Sequence, residues 1–420
     1  MINKEILKSL IQEQHTIQPP DPYIQRRLPF DMTQLTQSRS VVVITGIRRS
    51  GKSTWLQQVR ASQTERDYYL NFDDDRLVGF ELADFQVMFE LFVELYEEQH
   101  TFYFDEIQNI DGWERFVRRL HDQGDKVYIT GSNATMFSQE LGTHLTGRYV
   151  RYEIFPFSYV EYLAFKNYEE GRSDHFIAKA NQNRYYREYS FVGGFPEYIK
   201  YGQLEYLQGL YESILYRDII VRHKLTSDRI IKALMHYLVS NVGKLMSYNA
   251  LKNMLGVASA NTISDYCSYL QDSYLCFFMN CFSDSLKQQS YAPKKIYCID
   301  TGLAKAVGFR RGEDNGLLLE NIVFLALKRE GYVLYYHKGK YECDFVVQKS
   351  NHMVYVIQVC FDMSAPETRE REMRGLEEAL AAHPSAKGCI VTMDEDAELG
   401  DIRVISAARF LRETSSQLSE

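Results

Sequence analysis

The chain has 420 residues, and this length predicts two or three domains because single compact domains usually contain about 100–200 residues. Its hydrophobic content of 45% and charged content of 25% are ordinary for globular proteins and exclude disorder as the main state. With 48 basic and 56 acidic residues the net charge is −8, so a uniformly basic coat is excluded and any contact with DNA must be regional.

The first segment, MINKEILKSLIQEQH, alternates charged and apolar residues, which predicts a short amphipathic helix rather than the apolar core of a signal peptide. No uncharged apolar stretch approaches the roughly 18 residues that span a bilayer. The seven cysteines have no CxxC spacing and favour neither a disulfide framework nor a zinc site. We therefore expect a soluble, cytoplasmic protein without a membrane partner.

Residues 40–155 alternate short β-branched runs with helical patterns, and this order predicts a parallel sheet with helices on both faces. The runs are VVVIT, YYLNF, TFYFD and KVYIT. A mostly helical segment follows at 228–275, and from about residue 300 a helix, several strands and a charged helix predict a small α/β domain. The expected fold class is α/β, with domains at 1–200, 201–300 and 301–420.

Within the helical segment, two short helices have helix-turn-helix spacing. Gly256 is expected near the end of the first, and Asn261 or Thr262 is expected to cap the second. The apolar run CFFMNCF then fits a strand of a β-wing. This order predicts a winged-helix-like middle domain.

A phosphate-binding loop is predicted by GIRRSGKS, which follows the strand VVVIT and precedes a helix. Glycines let backbone N–H groups approach phosphate oxygens, and the helix N-terminus adds partial positive charge. Lys52 would reach the β- and γ-phosphates of ATP, and the Ser53 hydroxyl would bind Mg²⁺. The predicted nucleotide-binding residues are Gly46, Ile47, Arg48, Arg49, Ser50, Gly51, Lys52, Ser53 and Thr54.

Two acidic residues end the run TFYFDE, about 50 residues beyond this loop. Asp105 is predicted to hold Mg²⁺, and Glu106 to activate the attacking water. After the next strand, Ser132 or Asn133 could contact the γ-phosphate or the water, or equally cap a helix beginning at Ala134. These residues complete the predicted ATPase site.

These motifs, together with LTGRYV, EIFPFSYVEYL, FVGGFPEYI and SILYRDII, resemble those of prokaryotic AAA-type ATPases whose C-terminal half is a domain of unknown function. The resemblance covers nearly the whole chain. It implies an AAA-like core, a winged helix and a terminal domain similar to restriction-endonuclease-like nucleases. It also implies that Arg148 faces the γ-phosphate of its own or a neighbouring subunit, whereas a surface ion pair is the alternative role for this residue.

A nuclease of that type needs carboxylates that hold a divalent ion and a lysine that acts on water. Glu320, Asp344 and Gln358 are the candidate residues, but Cys360 stands where the lysine is expected, and a thiol cannot replace an ammonium group. Lys338 and Lys340 precede Asp344, although nothing in the sequence places them at the site. We expect a degenerate nuclease-like domain that has a binding or structural role and does not cleave DNA, with an active nuclease as the alternative.

The candidate recognition helix carries Asp265 and Asp272 and no basic residue, which opposes binding to phosphates. Basic residues lie in the wing region instead, at Lys287, Lys294 and Lys295, and at Arg118 and Arg119. Three functions remain open: an ATP-driven switch or remodeller of an unknown protein or DNA partner, an ATP-gated DNA-processing enzyme, and a nucleotide-dependent adaptor with negligible turnover. A homo-oligomer is compatible with each of them.

Overall fold

The computed structural model describes residues 2–19, 23–26, 38–63, 67–132, 145, 147–168, 175–308 and 315–417. The described residues up to Phe155 form one compact unit, and those from Pro156 onward form a second. The first unit therefore ends earlier than residue 200, where the sequence suggested a boundary.

The first unit is built on a parallel sheet of five strands in the order β2-β3-β4-β1-β5. Because all five strands point the same way, their carboxyl ends lie along one edge. The strands are β1 (Val41–Thr45), β2 (Tyr68–Asn71), β3 (Thr101–Asp105), β4 (Lys126–Gly131) and β5 (Tyr149–Glu153). The helices are α1 (Lys4–His15), α2 (Lys52–Ser62), α3 (Asp84–Tyr96) and α4 (Trp113–Gln123).

Buried apolar side chains fill the space between this sheet and its helices. Val41 and Val43 from β1 belong to the same core as Phe102 and Phe104 from β3. The helix α1 buries Leu7, Leu10 and Ile11 in that core, and the Asn3 side chain caps it by accepting from the Glu5 and Ile6 backbone N–H groups. The prediction of an amphipathic first helix is confirmed.

The second unit begins with helices and continues into a mixed nine-stranded sheet. Its helices are α5 (Tyr159–Phe165), α6 (His175–Val192), α7 (Pro196–Tyr201), α8 (Leu204–Ser213), α9 (Arg229–Ser240), α10 (Tyr248–Leu255), α11 (Ala260–Asp272), α12 (Leu286–Tyr291), α13 (Thr301–Val307), α14 (Asn315–Arg329), α15 (Pro366–Ala382) and α16 (Ala407–Gln417). A π-helix, Ile214–Val221, continues α8 directly.

The nine strands lie in the order β13-β14-β12-β11-β10-β9-β7-β8-β6. They are β6 (Leu245–Met246), β7 (Cys276–Cys281), β8 (Lys294–Cys298), β9 (Val333–Lys338), β10 (Glu342–Lys349), β11 (His352–Val359), β12 (Lys387–Thr392), β13 (Ala397–Leu399) and β14 (Ile402–Ser406). The strand β7 pairs with β8 on one side and with β9 on the other, where Asn280 lies opposite Tyr335. One sheet thus runs across residue 300, where a domain boundary was expected.

The two helices with helix-turn-helix spacing are α10 and α11. Gly256 ends α10 with a φ of 65°, in the left-handed region that favours glycine. The cap of α11 is Ser259, whose side chain accepts from the Asn261 backbone N–H. The expectation that Asn261 or Thr262 would cap this helix is wrong, because α11 starts earlier than its apolar pattern suggested.

Two of the sequence motifs meet inside the second unit. The Asp300 carboxylate is buried and accepts from the Gly194 backbone N–H at 2.6 Å, while the Phe157 N–H donates to the Gly194 carbonyl at 2.7 Å. A Cβ atom on Gly194 would lie 2.3 Å from the Phe157 carbonyl oxygen. Phe157 of EIFPFS and Gly194 of FVGGFPE are therefore in tight backbone contact, and these two motifs have a structural role here.

In the ranges that the structure describes, no helix is both long enough and apolar enough to cross a membrane.

Candidate functional site

The glycine-rich loop follows β1 at the carboxyl edge of the first sheet and leads into α2 at Lys52. Gly46 has a φ of 144°, and a Cβ atom there would lie 2.1 Å from the Ile154 carbonyl oxygen, so only glycine fits. Gly51 caps α2 with a φ of 98°, and Arg49 between them has a φ of 63°. Positive φ angles at these three positions are typical of loops whose backbone N–H groups bind an anion.

Lys52 is the first residue of α2, and its side chain is buried. Its ammonium group donates to the Ile47 carbonyl at 3.1 Å and lies 3.5 Å from Glu106 Oε1. Because burial leaves this cation few other partners, it is held at the loop and close to Glu106, which follows β3.

Asp105 ends β3, next to β4 in the sheet, and its carboxylate is fully buried. The Thr130 hydroxyl donates to Asp105 Oδ1, whereas Oδ2 has no hydrogen-bond partner among the described residues. Burial and the adjacent Glu106 charge raise the pKa of Asp105 to about 6. The Lys52 charge offsets this rise only in part, so the buried Asp105 carboxylate is incompletely compensated.

Glu106 adopts the left-handed conformation, with a φ of 51°, which is rare for a non-glycine residue and is often found at functional sites. Its backbone N–H donates to Thr130 Oγ1 at 2.9 Å, and its carboxylate accepts from Gln108 Nε2 at 2.5 Å. Burial acts to raise the pKa of Glu106, but the Lys52 charge, Gln108 and Arg48 outweigh it and lower that pKa. Glu106 is thus held ionised beside Lys52.

The residues at this edge fit a magnesium-bound nucleotide. Ser50 Oγ, Asp105 Oδ2 and Ser132 Oγ are all buried, and none of them has a hydrogen-bond partner in the described part of the chain. Buried polar atoms without partners are costly in native proteins, and a bound ligand is one usual explanation. Hydroxyl and carboxylate oxygens are also the ligands that Mg²⁺ takes alongside phosphates.

The other predicted residues of the loop differ in exposure. Ile47 is buried, Arg48 and Thr54 are half-buried, and Arg49 is exposed. Ser53 is half-buried in the first turn of α2. Ser132 directly follows β4, whereas Asn133 and the helix predicted from Ala134 lie outside the described residues.

Arg148 lies at the amino edge of the five-stranded sheet, opposite the edge that carries the phosphate loop. It precedes β5, and its carbonyl accepts from the Val41 N–H at 2.8 Å, at the start of β1. The phosphate loop follows the end of that strand, about 13 Å away at about 3.3 Å per residue. Arg148 Nη1 lies 3.5 Å from Asp122 Oδ1, so the structure does not bring it to the loop of its own chain.

Three residues that sequence patterns did not single out complete the site. Thr130 joins the two acidic residues, and Gln108 contacts Glu106. Arg26 donates from Nη1 to the Ser50 carbonyl at 2.7 Å and from Nη2 to the Phe155 carbonyl at 2.5 Å. The position of Thr130 at the end of a predicted strand is a usable signal, but nothing in the polar segment around Arg26 indicates this contact.

In the second unit, Glu320, Asp344 and Gln358 are brought together by α14, β10 and β11. Lys295 from β8 lies among them, with its ammonium group 2.8 Å from Asp344 Oδ1. The expectation that Lys295 belongs to a basic wing surface is therefore wrong, because its side chain is buried. Lys338 and Lys340 are exposed, so the basic group at this cluster comes from a different strand.

Cys360 is buried, and its Sγ donates to the Asp362 carbonyl at 3.2 Å. Burial raises the pKa of this thiol to about 11, so it is neutral at ordinary pH. Its chemistry agrees with the expectation that Cys360 cannot replace an ammonium group.

Fold and loop geometry together define a protein of the P-loop nucleotide-binding class. The model of an AAA domain matches residues 38–163, and models of two domains of unknown function, DUF8612 and DUF4143, match residues 183–314 and 315–410. An uncharacterised protein of Methanocaldococcus jannaschii is 35% identical over 354 residues, which cover 81% of this chain and 78% of that protein. One of Haemophilus influenzae is 32% identical over 357 residues, with 81% and 86% covered.

The chain belongs to this family, the prokaryotic AAA-type ATPases whose C-terminal half consists of domains of unknown function. Two solved structures are more distantly similar. The Thermotoga maritima RuvB Holliday junction branch migration motor is 15% identical, with a TM-score of 0.29 and 63% of this chain and 92% of that chain covered. A Pyrococcus horikoshii STAND ATPase with a tetratricopeptide repeat sensor is 13% identical, with a TM-score of 0.29 and coverages of 74% and 46%.

Proposed function

We propose that the protein binds ATP with Mg²⁺ at the phosphate loop, hydrolyses it, and uses hydrolysis to switch how the second unit engages a partner. The observation that carries this proposal is that Lys52, Asp105 and Glu106 lie together at the carboxyl edge of the first sheet. Beside them are buried polar atoms without hydrogen-bond partners among the described residues. AAA-type family membership supports adenine as the base.

The charge and hydrogen bonds of each residue indicate its role in ATP binding and hydrolysis. When bound, Mg²⁺ neutralises developing charge on the phosphate oxygens. Ser53 and Asp105 supply oxygens for the metal, and Lys52 is the cation for the phosphates. Glu106, ionised because its pKa is lowered, accepts a hydrogen bond from the attacking water and takes its proton. The Thr130 hydroxyl fixes both acids, since it contacts the side chain of one and the backbone of the other.

Phosphate release measured with Glu106→Gln tests this assignment. The amide keeps the size of the side chain but cannot take a proton, so we expect turnover to fall at least about 100-fold while ATP binding persists. Glu98→Gln is the matched control, because Glu98 is exposed and follows α3 on the surface. A wild-type protein that binds ATP without measurable turnover would instead support the nucleotide-dependent adaptor.

For Arg148 we propose a role in a neighbouring subunit of a homo-oligomer. The support is its position beside the start of β1, away from the loop of its own chain. A cation in this position can complete the site of an adjacent copy, and such arginines contribute about 10³ to 10⁵ in rate. The mass of the ATP-bound assembly is the direct measurement of the oligomer.

DNA processing is the second candidate, and the element order supports a winged helix in the second unit. From α9 to β8 the order is one helix, a short strand, two helices, and then two strands joined by the short helix α12. However, the burial of Lys295 leaves fewer basic groups for DNA, and Lys294 donates to Asn280 at 2.5 Å. ATPase rate with and without DNA, at two salt concentrations, decides between a DNA and a protein partner.

We also propose a cytoplasmic location. The support is that all seven cysteines are free thiols in the structure, five of them buried. A reducing compartment preserves such thiols. Fractionation of cells that express the protein is the measurement that tests this location.

A further inference from the structure

The second unit contains a buried cluster of charges around one lysine. Lys295 is 2% exposed, and its ammonium nitrogen lies 2.8 Å from Asp344 Oδ1, 2.9 Å from Glu342 Oε1 and 3.2 Å from Glu320 Oε1. The four residues come from β8, α14 and β10, which are distant in sequence. A single ammonium group therefore contacts the three carboxylates that face this point.

The same carboxylates have further hydrogen-bond donors. Asp344 Oδ2 accepts from the Val359 N–H at 2.9 Å, and Glu320 Oε1 accepts from the Tyr297 hydroxyl at 2.7 Å. Both oxygens of Asp344 are thus engaged by donors of this chain, one by the ammonium and one by the backbone. This differs from Asp105 in the first unit, where one oxygen has no partner among the described residues.

The Gln358 side chain also makes structural hydrogen bonds. Its Oε1 accepts from the Asp344 N–H at 3.2 Å, and its Nε2 donates to Glu372 Oε2 at 2.6 Å. The side chain thereby links β10, β11 and α15. Its carbonyl oxygen already has a donor, so it is not held as a free ligand for a metal.

We propose that Lys295 takes the place of a divalent cation among Glu320, Glu342 and Asp344, which makes this nuclease-like cluster a metal-free structural site. A divalent ion needs these oxygens at about 2.0–2.6 Å. The ammonium group occupies that centre, and its positive charge repels a second cation. The residues therefore do not fit the metal that a restriction-endonuclease-like domain requires.

Charge balance supports this role. Burial opposes the charge on Lys295, but Asp344 and Glu320 outweigh burial and raise its pKa, so it stays an ammonium ion. The ammonium group, the Val359 N–H and the Tyr297 hydroxyl together stabilise the buried carboxylates of Asp344 and Glu320 without a metal.

Mn²⁺ binding to the full-length, nucleotide-free protein, followed by electron paramagnetic resonance, tests the proposal. The wild type and Asp344→Asn should bind the same number of Mn²⁺ ions, because the metal has no site at Asp344. Lys295→Met, which keeps much of the side-chain volume, should gain one site that binds at least tenfold more tightly than any in the wild type. That site should disappear in Lys295→Met/Asp344→Asn.

Two outcomes would overturn the proposal. One is a wild-type Mn²⁺ site that is lost in Asp344→Asn; the other is a folded Lys295→Met that gains no site. If Lys295→Met does not fold, the comparison of wild type with Asp344→Asn still decides, because equal binding supports the proposal and unequal binding refutes it. Lys295→Arg, which keeps a cation, should fold and gain no site.

Discussion

Thr130 is the side chain whose loss should reveal most about the ATPase site. Its hydroxyl donates to Asp105 and accepts from the Glu106 backbone N–H, so one group positions both acids. Thr130→Val keeps the shape of the side chain and removes both contacts. A hydrogen bond to a charged group contributes about 1.5–3 kcal/mol, and about 1.4 kcal/mol corresponds to tenfold in rate. We therefore expect kcat/KM for ATP to fall about 10- to 100-fold.

The pH dependence gives this prediction a second, independent readout. The hydroxyl favours the ionised form of Asp105, so its removal should raise the pKa of Asp105 above its present value of about 6. Because about 1.4 kcal/mol corresponds to one pH unit, the acidic limb of kcat/KM should move upward by about one unit or more. Activity requires the carboxylate as a metal ligand, so it is lost as pH falls through that pKa.

The assay is phosphate release from pH 5 to 9 at saturating Mg²⁺, with thermal melting to confirm folding. Thr130→Ser is the matched control, because it retains the hydroxyl and should keep the acidic limb in place. A folded Thr130→Val with kcat/KM within twofold of wild type and an unmoved acidic limb would refute the role that we assign to this hydroxyl.

Two further predictions concern the same sheet. Asp105→Asn should abolish Mg²⁺-dependent turnover. It should nevertheless raise the free energy of unfolding of the nucleotide-free protein by about 1–3 kcal/mol above pH 6, because the folded protein raises the pKa of Asp105 to about 6 and the ionised carboxylate is therefore destabilising. This gain in stability should vanish toward pH 4, and denaturant titrations at pH 8 and pH 4 measure it. Arg148→Ala should lower the rate of steady-state ATP hydrolysis at least tenfold. If Arg148 acts on a neighbouring subunit, mixing the Arg148→Ala protein with the Glu106→Gln protein should restore activity. An Arg148→Ala rate within twofold of wild type, or no recovery on mixing, would contradict that role.

The fold of the first unit and its phosphate loop are predictable from the sequence because the residues that form them lie close together in the chain. The loop from Gly46 to Ser53 joins β1 to α2, whereas Asp105 ends β3 and Glu106 follows it, with β4 between the two strands. Parallel strands place such ends at one edge, so spacing along the chain translates directly into proximity. The end of β4 places Thr130 at the same edge, but its hydrogen bonds to Asp105 and Glu106 depend on the pairing of β3 with β4, which the spacing does not specify.

The charged cluster of the second unit escaped prediction for a related reason. Lys295 on β8 and Asp344 on β10 are brought into one sheet by the pairing of β7 with β8 and β9 and of β9 with β10, which no local pattern specifies. Alternation of apolar residues indicates that these strands exist but not which of them are neighbours. A lysine in an apparent wing was therefore interpreted as a surface charge, although the sheet buries it.

The parallel pairing of β7 with β9 also bears on the inheritance of this half of the chain. The matches to the two domains of unknown function meet between residues 314 and 315, whereas the strands on either side of that point share one sheet. Separation there would expose the backbone edge of β9 and leave Glu320 and Asp344 without Lys295. The two segments thus share one sheet and one charged cluster, so we expect them to fold together and to be inherited together.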